Sequence, residues 1–459
     1  MTARVKKDFT SGPIFMPMLA FVLPIILTNI LQTLYNIADN IVVGKFSGDL
    51  LALAAVGSSG SLSALFSNII IGLSSGAAVV ISHHFGAKEY DKVSRGVHTA
   101  ISFGLLFGIA LGAVAFIFTE DMLLLMGTKP ELLDASCTYL QIIFAGLPAV
   151  AVYNFAAAAL RAVGDSRTSL YILSLSGLLN VALNLFFVLV FGMSADGVAL
   201  ATVISQYASA IAVVIILSVR REAVYALCLS KLTISKPILL KMLRFGVPNG
   251  IQNSMFSISN VLLTSAVNTL DTYALSAKTI AMNVTTILHN VAAAYTNAAL
   301  TFSAQNYGAK NQGRIKRSVL VGLLQAFILT MGSSILCFSF IEPISDFYIS
   351  SADTGRDFII AYVRDVCIAT LPLYFIASIM NVLSGTLRGV GYSLSPMFIS
   401  VFGICGFRIV WIYTAFNTPV FHTLWGLYLS YPISWSIVIL GLLGILFTAW
   451  KKMKKNFRI

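Results

Sequence analysis

Charge is scarce along this chain. Only 10% of its 459 residues are charged, and Asp and Glu together number 18, whereas a soluble domain carries about 25% charged residues. With 58% hydrophobic residues and a mean hydropathy of +0.87, most of the chain belongs in lipid. Cysteine spacing is uninformative: Cys137, Cys228, Cys337, Cys367 and Cys405 are scattered, with no CxxC or Cys/His pattern. They read as small apolar packing residues rather than disulfides or thiolate ligands. His83, His84, His98, His289 and His422 also lack metal-ligand spacing. No GxxxxGK[ST] occurs, so an ATP site is not expected and the energy for any transport must come from an ion gradient. A membrane enzyme is equally disfavoured, because HExxH, a Ser/His/Asp set and paired intramembrane carboxylates are all missing. The N-terminus lacks the short apolar run and small-residue cleavage site of a signal peptide, so the first span is expected to be retained.

What is present is length in apolar runs. Twelve segments, roughly 16–43, 51–82, 95–118, 136–160, 168–191, 197–219, 239–266, 275–304, 317–340, 358–386, 395–416 and 424–450, are each long enough for a helix to cross a bilayer, for which about 20 residues suffice. With the N-terminus placed inside, the tails and alternate connections hold most of the 30 Lys and Arg. The outer connections hold acids instead: Glu120, Asp121, Glu131, Asp134, Glu342, Asp346, Asp353 and Asp357. That alternation is the positive-inside rule. The net charge of +12 is therefore a topology signal, and nucleic-acid binding is not expected.

One acid breaks the apolar pattern. Asp39 lies within the first span, and Gln32, Tyr35, Asn36 and Asp39 fall at i, i+3, i+4 and i+7, along one helical face. An acid in a membrane span is costly, and it usually faces a polar pathway and acts on ions or protons.

The chain also repeats itself at an offset of about 224 residues, the separation of Pro24 in FVLPIILTNI from Pro248 in FGVPNGIQNS. HHFGAKEYDKVSR after the second span matches QNYGAKNQGRIKR after the eighth. The fourth span holds Leu147–Pro148 and ends in LRAVGDS; the tenth holds Leu371–Pro372 and ends in LRGVGYS. These glycine-containing stretches read as helix ends, not phosphate loops. Each half has six spans, so both enter from the same side, as parallel repeats related by an axis along the membrane normal. The expected fold class is all-α integral membrane: twelve transmembrane helices in two six-helix lobes with pseudo-two-fold symmetry. Residues 1–219 form the first lobe, 220–238 a basic cytoplasmic linker, and 239–459 the second lobe with a basic tail. Pro24, Pro148, Pro248 and Pro372 all fall within spans, where each removes a backbone hydrogen bond and can bend the helix.

In their order and duplication, these motifs, together with QTLYNIADNIVVGKFSG, resemble the multidrug and toxic compound extrusion (MATE) family of secondary antiporters, prokaryotic type, over nearly the whole chain. The resemblance implies two six-helix lobes around a central cavity, in the inner membrane of a prokaryotic cell with both termini cytoplasmic. It implies export of amphipathic, often cationic compounds in exchange for Na⁺ or H⁺. It also implies a cation site in the first lobe, carried over to Asp39 on the first span, Asn180 and Asn184 on the fifth, and Thr202 on the sixth. Members of the best-described pattern have Asp where this chain has Asn184, so one acid remains. A hard cation gains from negative charge among its oxygens, and the change favours H⁺ over Na⁺ while leaving both open.

In the second half Leu263 takes the place of Asp39, so ion coupling belongs to the first lobe. Asn249, Asn253, Asn260 and Asn283 either line a substrate path or bond between helices. Gln32, Tyr35, Asn36, Asn154, Gln206, Asn253, Asn283 and Arg408 are the candidate cavity residues. Lys278 is expected to snorkel from its helix end, Arg408 is more deeply placed, with a cavity or anion-contact role open to it, and Asp196 is expected to cap the sixth span. A lipid-linked saccharide flippase is the competing function. It would need several cavity bases for pyrophosphate, and only Lys278 and Arg408 qualify. No cofactor is expected beyond Na⁺ as a possible coupling ion. The expected partners are small amphipathic substrates, H⁺ or Na⁺, and membrane lipid, with the protein acting as a monomer.

Overall fold

A chain in hydrocarbon has no water for its backbone groups, so long apolar runs must satisfy their own hydrogen bonds as helices. The computed structural model describes residues 8–46, 50–267, 269–270, 272–348 and 355–457, and these hold helices and no strand. Arg4, Lys6 and Lys7 of the basic N-tail, Ser47 and Gly48 of the first motif, and the outer acid Asp353 lie outside the described residues.

Two compact units emerge, one built on Leu23–Asn253 and the other on Ser254–Ile459 together with Gly12–Val22. The first half contains α1 (Phe15–Phe46), α2 (Leu50–Gly86), α3 (Tyr90–Ile117), α4 (Thr119–Leu125), α5 (Pro130–Ala145), α6 (Leu147–Ala162), α7 (Arg167–Leu185) and α8 (Ala195–Val219). The second contains α9 (Lys236–Val267), α10 (Thr272–Gly308), α11 (Gln312–Ser339), α12 (Ile341–Tyr348), α13 (Arg356–Thr370), α14 (Tyr374–Gly389), α15 (Leu394–Ser400), α16 (Phe407–Tyr413), α17 (Leu424–Tyr428) and α18 (Ser430–Asn456). Among the described residues nine stretches are both long and apolar enough to span a bilayer, and α5 with α6, bent by 42°, makes a tenth. The polar-rich α9 and α10, 32 and 37 residues long, complete the twelve spans. The repeat set from sequence at 1–219 and 239–459 and the packing units differ, because α9 up to Asn253 packs with the first unit.

Matched motifs adopt matched backbones. Both GAK loops end their helices with a lysine in the left-handed region, Lys88 at φ 60° and Lys310 at φ 54°. Both LRxVG motifs do so with a glycine, Gly164 at φ 85° and Gly391 at φ 94°. In each motif paired bonds close the helix end: Asp165 N–H to Leu160 O and Gly164 N–H to Arg161 O, then Tyr392 N–H to Leu387 O and Gly391 N–H to Arg388 O. This is the Schellman arrangement, and it satisfies carbonyls the helix leaves orphaned. A π-helical turn also recurs, at Phe186–Val190 after α7 and at Val401–Gly406 before α16.

The four prolines divide into two kinds. Pro24 and Pro248 lie inside unbroken α1 and α9. Pro148 instead opens α6 just after the 42° bend, and Pro372 sits in a short 3₁₀ turn, Leu371–Leu373, between α13 and α14. At the helix start a proline forfeits only an N–H with no intrahelical partner.

Residues 220–238 pack on the first unit. Arg220 donates to Asp165 Oδ2 at 2.8 Å and to Thr168 Oγ1 at 3.0 Å, and the Cys228 N–H reaches His98 Nε2 at 3.0 Å. His98 Nδ1 in turn lies 2.8 Å from Ser94 O of its own helix, so the ring bridges α3 and the linker.

Where α2 crosses α9 within that unit, Gly72 and Gly76 face Gly246 and Gly250, two GxxxG pairs. A Cβ on Gly76 would fall 2.1 Å from Met242 O, and one on Gly72 2.3 Å from Gly250 Cα. Lipid supplies no hydrophobic drive between helices, so small residues that let backbones touch hold them together. Gly76→Leu is expected to force the crossing apart and sharply lower the yield of monodisperse protein and its Tm, whereas Gly60→Leu, with nothing within 4 Å of its Cβ position, leaves both unchanged.

Candidate functional site

Asp39 lies two turns from the C-terminal end of α1, and α7 and α8 bring it its partners. The placement starts at a glycine. Gly177 has no side chain, and the ring of Tyr35 occupies that space: a Cβ would lie 1.8 Å from Tyr35 Cε2. Tyr35 then donates its hydroxyl to Ser174 O at 3.2 Å, fixing α1 against α7. On the other flank the Ser176 hydroxyl donates to Ser205 O at 2.7 Å, fixing α7 against α8. One turn along each helix the polar side chains meet.

Asn184 Nδ2 donates to Asp39 Oδ1 at 2.5 Å, and Thr202 Oγ1 donates to Asp39 Oδ2 at 3.5 Å. Asn180 Nδ2 donates to Thr202 Oγ1 at 3.3 Å, while Asn184 Nδ2 also reaches Asn180 Oδ1 at 3.3 Å. The four groups close a ring in which the carboxylate is the only pure acceptor. Asn184 and Asn180 are buried, Asp39 and Thr202 half-buried. Among the described residues no Lys, Arg or His pairs with Asp39. Asn184 Oδ1 is buried without a hydrogen-bond partner. An amide with a free carbonyl beside a carboxylate can donate to the ionised acid, accept from the protonated one after a flip, or turn its oxygen to a cation. No group of three or more His, Cys, Asp or Glu able to hold a metal occurs among the described residues.

The other candidates lie elsewhere. Tyr35 braces the site from one turn below, while Gln32 and Asn36 on α1 are exposed. Asn154 donates to Val150 O of its own helix at 2.8 Å. Gln206 leans on the break between α5 and α6, where a Cβ on Gly146 would lie 2.5 Å from Gln206 Oε1. Asn253 and Asn283 are half-buried on α9 and α10, and Arg408 is buried in the second unit. Asn249 does bond between helices, to the Ser75 hydroxyl. Lys278 does not snorkel: it is buried and donates to the Thr264 hydroxyl, because the α9 side chain meets it from the neighbouring helix. Asp196 accepts from the Ser194 N–H at 2.9 Å, at the start of α8. Sequence reasoning missed Tyr139 of α5, whose phenol lies within electrostatic reach of Asp39, and Gly177, one turn before Asn180.

Gly177→Leu is expected to expel the Tyr35 ring, separate α1 from α7 and cut transport severalfold or more, although every polar group of the ring remains. Export by a folded Gly177→Leu protein at the unmodified rate would show that this brace is dispensable.

A bundle of membrane-spanning helices that holds one acid among amides from neighbouring spans defines a membrane transporter. The MatE family profile matches residues 24–186 and 248–414, one stretch in each half, and the chain belongs to that family, the multidrug and toxic compound extrusion transporters. It is 29% identical over 454 residues to the probable multidrug resistance protein YoeA of Bacillus subtilis (strain 168), covering 98% of this chain and 96% of that one. The multidrug export protein MepA of Staphylococcus saprophyticus is 22% identical, over 94% of this chain and 92% of its own length. Among solved structures, the outward-facing conformation of a multidrug resistance MATE family transporter superposes with a TM-score of 0.87 at 21% identity, covering 98% of this chain and 100% of that one. That likeness establishes the fold.

Proposed function

We propose that this protein exports amphipathic, often cationic compounds across the cytoplasmic membrane, as a monomer with both termini inside and no cofactor. Each exchange returns a proton, taken up at Asp39. The observation that carries this reading is the Asp39–Asn184–Asn180–Thr202 ring, which links three helices through one titratable group. With Asp39 ionised, Asn184 and Thr202 both donate to it and tie α1 to α7 and α8. With Asp39 protonated, one carboxyl oxygen becomes a donor, so either Asn184 turns its carbonyl to accept or Thr202 turns its hydroxyl from donor to acceptor, and the ring is rewired. The lobe then favours a second arrangement, so proton uptake and substrate release are coupled through one equilibrium. An exchange that moves net positive charge inward also gains from the membrane potential, about 2.3 kcal/mol per charge per 100 mV. The alternative ion, Na⁺, finds support in the buried, unpartnered Asn184 Oδ1, which can serve as a neutral ligand beside the carboxylate.

The test is substrate-stimulated proton movement in proteoliposomes. An antiporter is expected to move protons only when substrate is present on the opposite side. A channel would conduct without substrate, and either that behaviour or the absence of any substrate-coupled ion flux contradicts the proposal.

A further inference from the structure

The second unit holds a charge that the coupling scheme does not use. Arg408 is the second residue of α16, just after the π-helical turn Val401–Gly406, and only 6% of its surface is accessible. Its guanidinium carbon lies 3.7 Å from the centroid of the Tyr431 ring. Tyr431 stacks on Tyr428 at 5.1 Å and meets Trp435 edge-on at 5.8 Å, and Trp435 meets Tyr374 at 5.1 Å. The groups within electrostatic reach of the guanidinium are the phenols of Tyr431, Tyr374 and Tyr428 and the Cys405 thiol, with no carboxylate among them.

A guanidinium presents five donors in a planar fork. Stacking on an aromatic face stabilises the cation but satisfies none of those donors. Elsewhere in this protein a partly buried arginine finds an acid: Arg220 donates to Asp165 and to Thr168. Arg408 finds none, since no ion pair to it occurs among the described residues, and its Nε, like those of Arg161 and Arg388, is buried without a hydrogen-bond partner; what sets Arg408 apart is the stack of aromatic rings around it. Nor do the Tyr374, Tyr428 and Tyr431 hydroxyls bond to protein among the described residues. A stacked cation ringed by phenols with spare donors matches an oxyanion, and the surrounding rings match an apolar body attached to it. The π-helical turn beside Arg408 is a second indication, since such turns occur frequently at functional sites.

We propose that Arg408, with the rings of Tyr374, Tyr428, Tyr431 and Trp435, forms a binding site for amphipathic oxyanions, a carboxylate or phosphate carried on an apolar or aromatic body. The site stands independently of the export reading, because it is tested by binding alone. It extends the ligand range from cations to acidic and zwitterionic amphiphiles. The same chemistry has two sources, a carried acid or the headgroup of an anionic phospholipid.

Calorimetric titration of the full chain in nanodiscs of neutral phosphatidylcholine, with empty nanodiscs subtracted, compares octanoate with octylammonium. The unmodified protein is expected to bind octanoate at least about tenfold more tightly, as a charge-assisted, bidentate contact allows. Arg408→Gln is expected to lose that preference, with octanoate binding falling about tenfold or more. Arg408→Lys, which keeps the charge but not the fork, is expected to fall between the two. Adding phosphatidylglycerol to the nanodiscs separates the sources: competition with octanoate that vanishes in Arg408→Gln assigns the site to lipid, and undisturbed octanoate binding assigns it to a carried acid. No preference for octanoate in the unmodified protein overturns the proposal whether or not the variants fold, and so does unmodified octanoate affinity in Arg408→Gln or Arg408→Lys.

Discussion

Asp39→Asn is expected to reduce gradient-driven export to the background of protein-free liposomes while the protein still purifies as a folded, monodisperse species. The two side chains have nearly the same shape: the amide oxygen at position 39 can accept from Asn184, which now donates to Asp39 Oδ1 at 2.5 Å, while the amide NH2 donates to the Thr202 hydroxyl, which now donates to Oδ2 at 3.5 Å and turns to accept instead. A neutral-for-charged exchange of one acceptor costs about 1–2 kcal/mol, the difference between a charge-assisted and an ordinary hydrogen bond. That changes stability modestly. Transport is different in kind, because an amide cannot take up and release a proton. The variant is therefore expected to hold substrate but not to exchange it. Side-by-side efflux, thermal unfolding and substrate binding check all three parts. Export at the unmodified rate by folded Asp39→Asn protein would remove this residue from the mechanism.

The opposite change, Asn184→Asp, is expected to bring a Na⁺ response that the unmodified protein lacks. It places a second carboxylate where the Asn184 amide now touches Asp39. Two carboxylates that close do not both ionise alone; they share a proton or recruit a cation. With Asn180 Oδ1 and Thr202 Oγ1 already in the ring, the variant offers Na⁺ several hard oxygens and two charges, the combination such a cation prefers. Thermal stabilisation by Na⁺ over an equal concentration of choline is the direct readout, and Na⁺-driven efflux is expected to appear above the background of protein-free liposomes, where the unmodified protein shows none. A variant as indifferent to Na⁺ as its parent would show that the missing charge is not what sets the ion preference.

Much of this was legible before the structure. Apolar run length gives the spans, because the bilayer leaves helices as the only way to satisfy the backbone. The doubled GAK and LRxVG motifs announced doubled helix ends, and Lys88, Lys310, Gly164 and Gly391 repeat even the backbone conformation. Asp39 stood out because an acid in a span is costly, and helical spacing put Asn180 and Asn184 on one face. Joining α1, α7 and α8 needed the family resemblance, because nothing local specifies which helices meet.

What sequence could not give were contacts between distant positions. Tyr139 is 100 residues from Asp39 along the chain, and it joins the acid's surroundings only through the packing of α5. The α2–α9 crossing was signalled by Gly72, Gly76, Gly246 and Gly250, yet each pair names only a small-residue face and not its partner. The prolines divide: Pro148 sits at the 42° bend that its residue type allows and Pro372 at a break, where both cost little, while Pro24 and Pro248 lie in unbroken helices. Lys278 misled because snorkelling describes a lone side chain, and Thr264 was close enough to hold it.

The most direct test of a proton acting at Asp39 is efflux from proteoliposomes with the two gradients set independently. With Na⁺ absent, or equal on both sides, an imposed ΔpH is expected to drive substrate export by the unmodified protein and none by Asp39→Asn. At a fixed, symmetric pH, a Na⁺ gradient alone is expected to drive none. Robust export under the Na⁺ gradient, with none driven by ΔpH, would contradict the account.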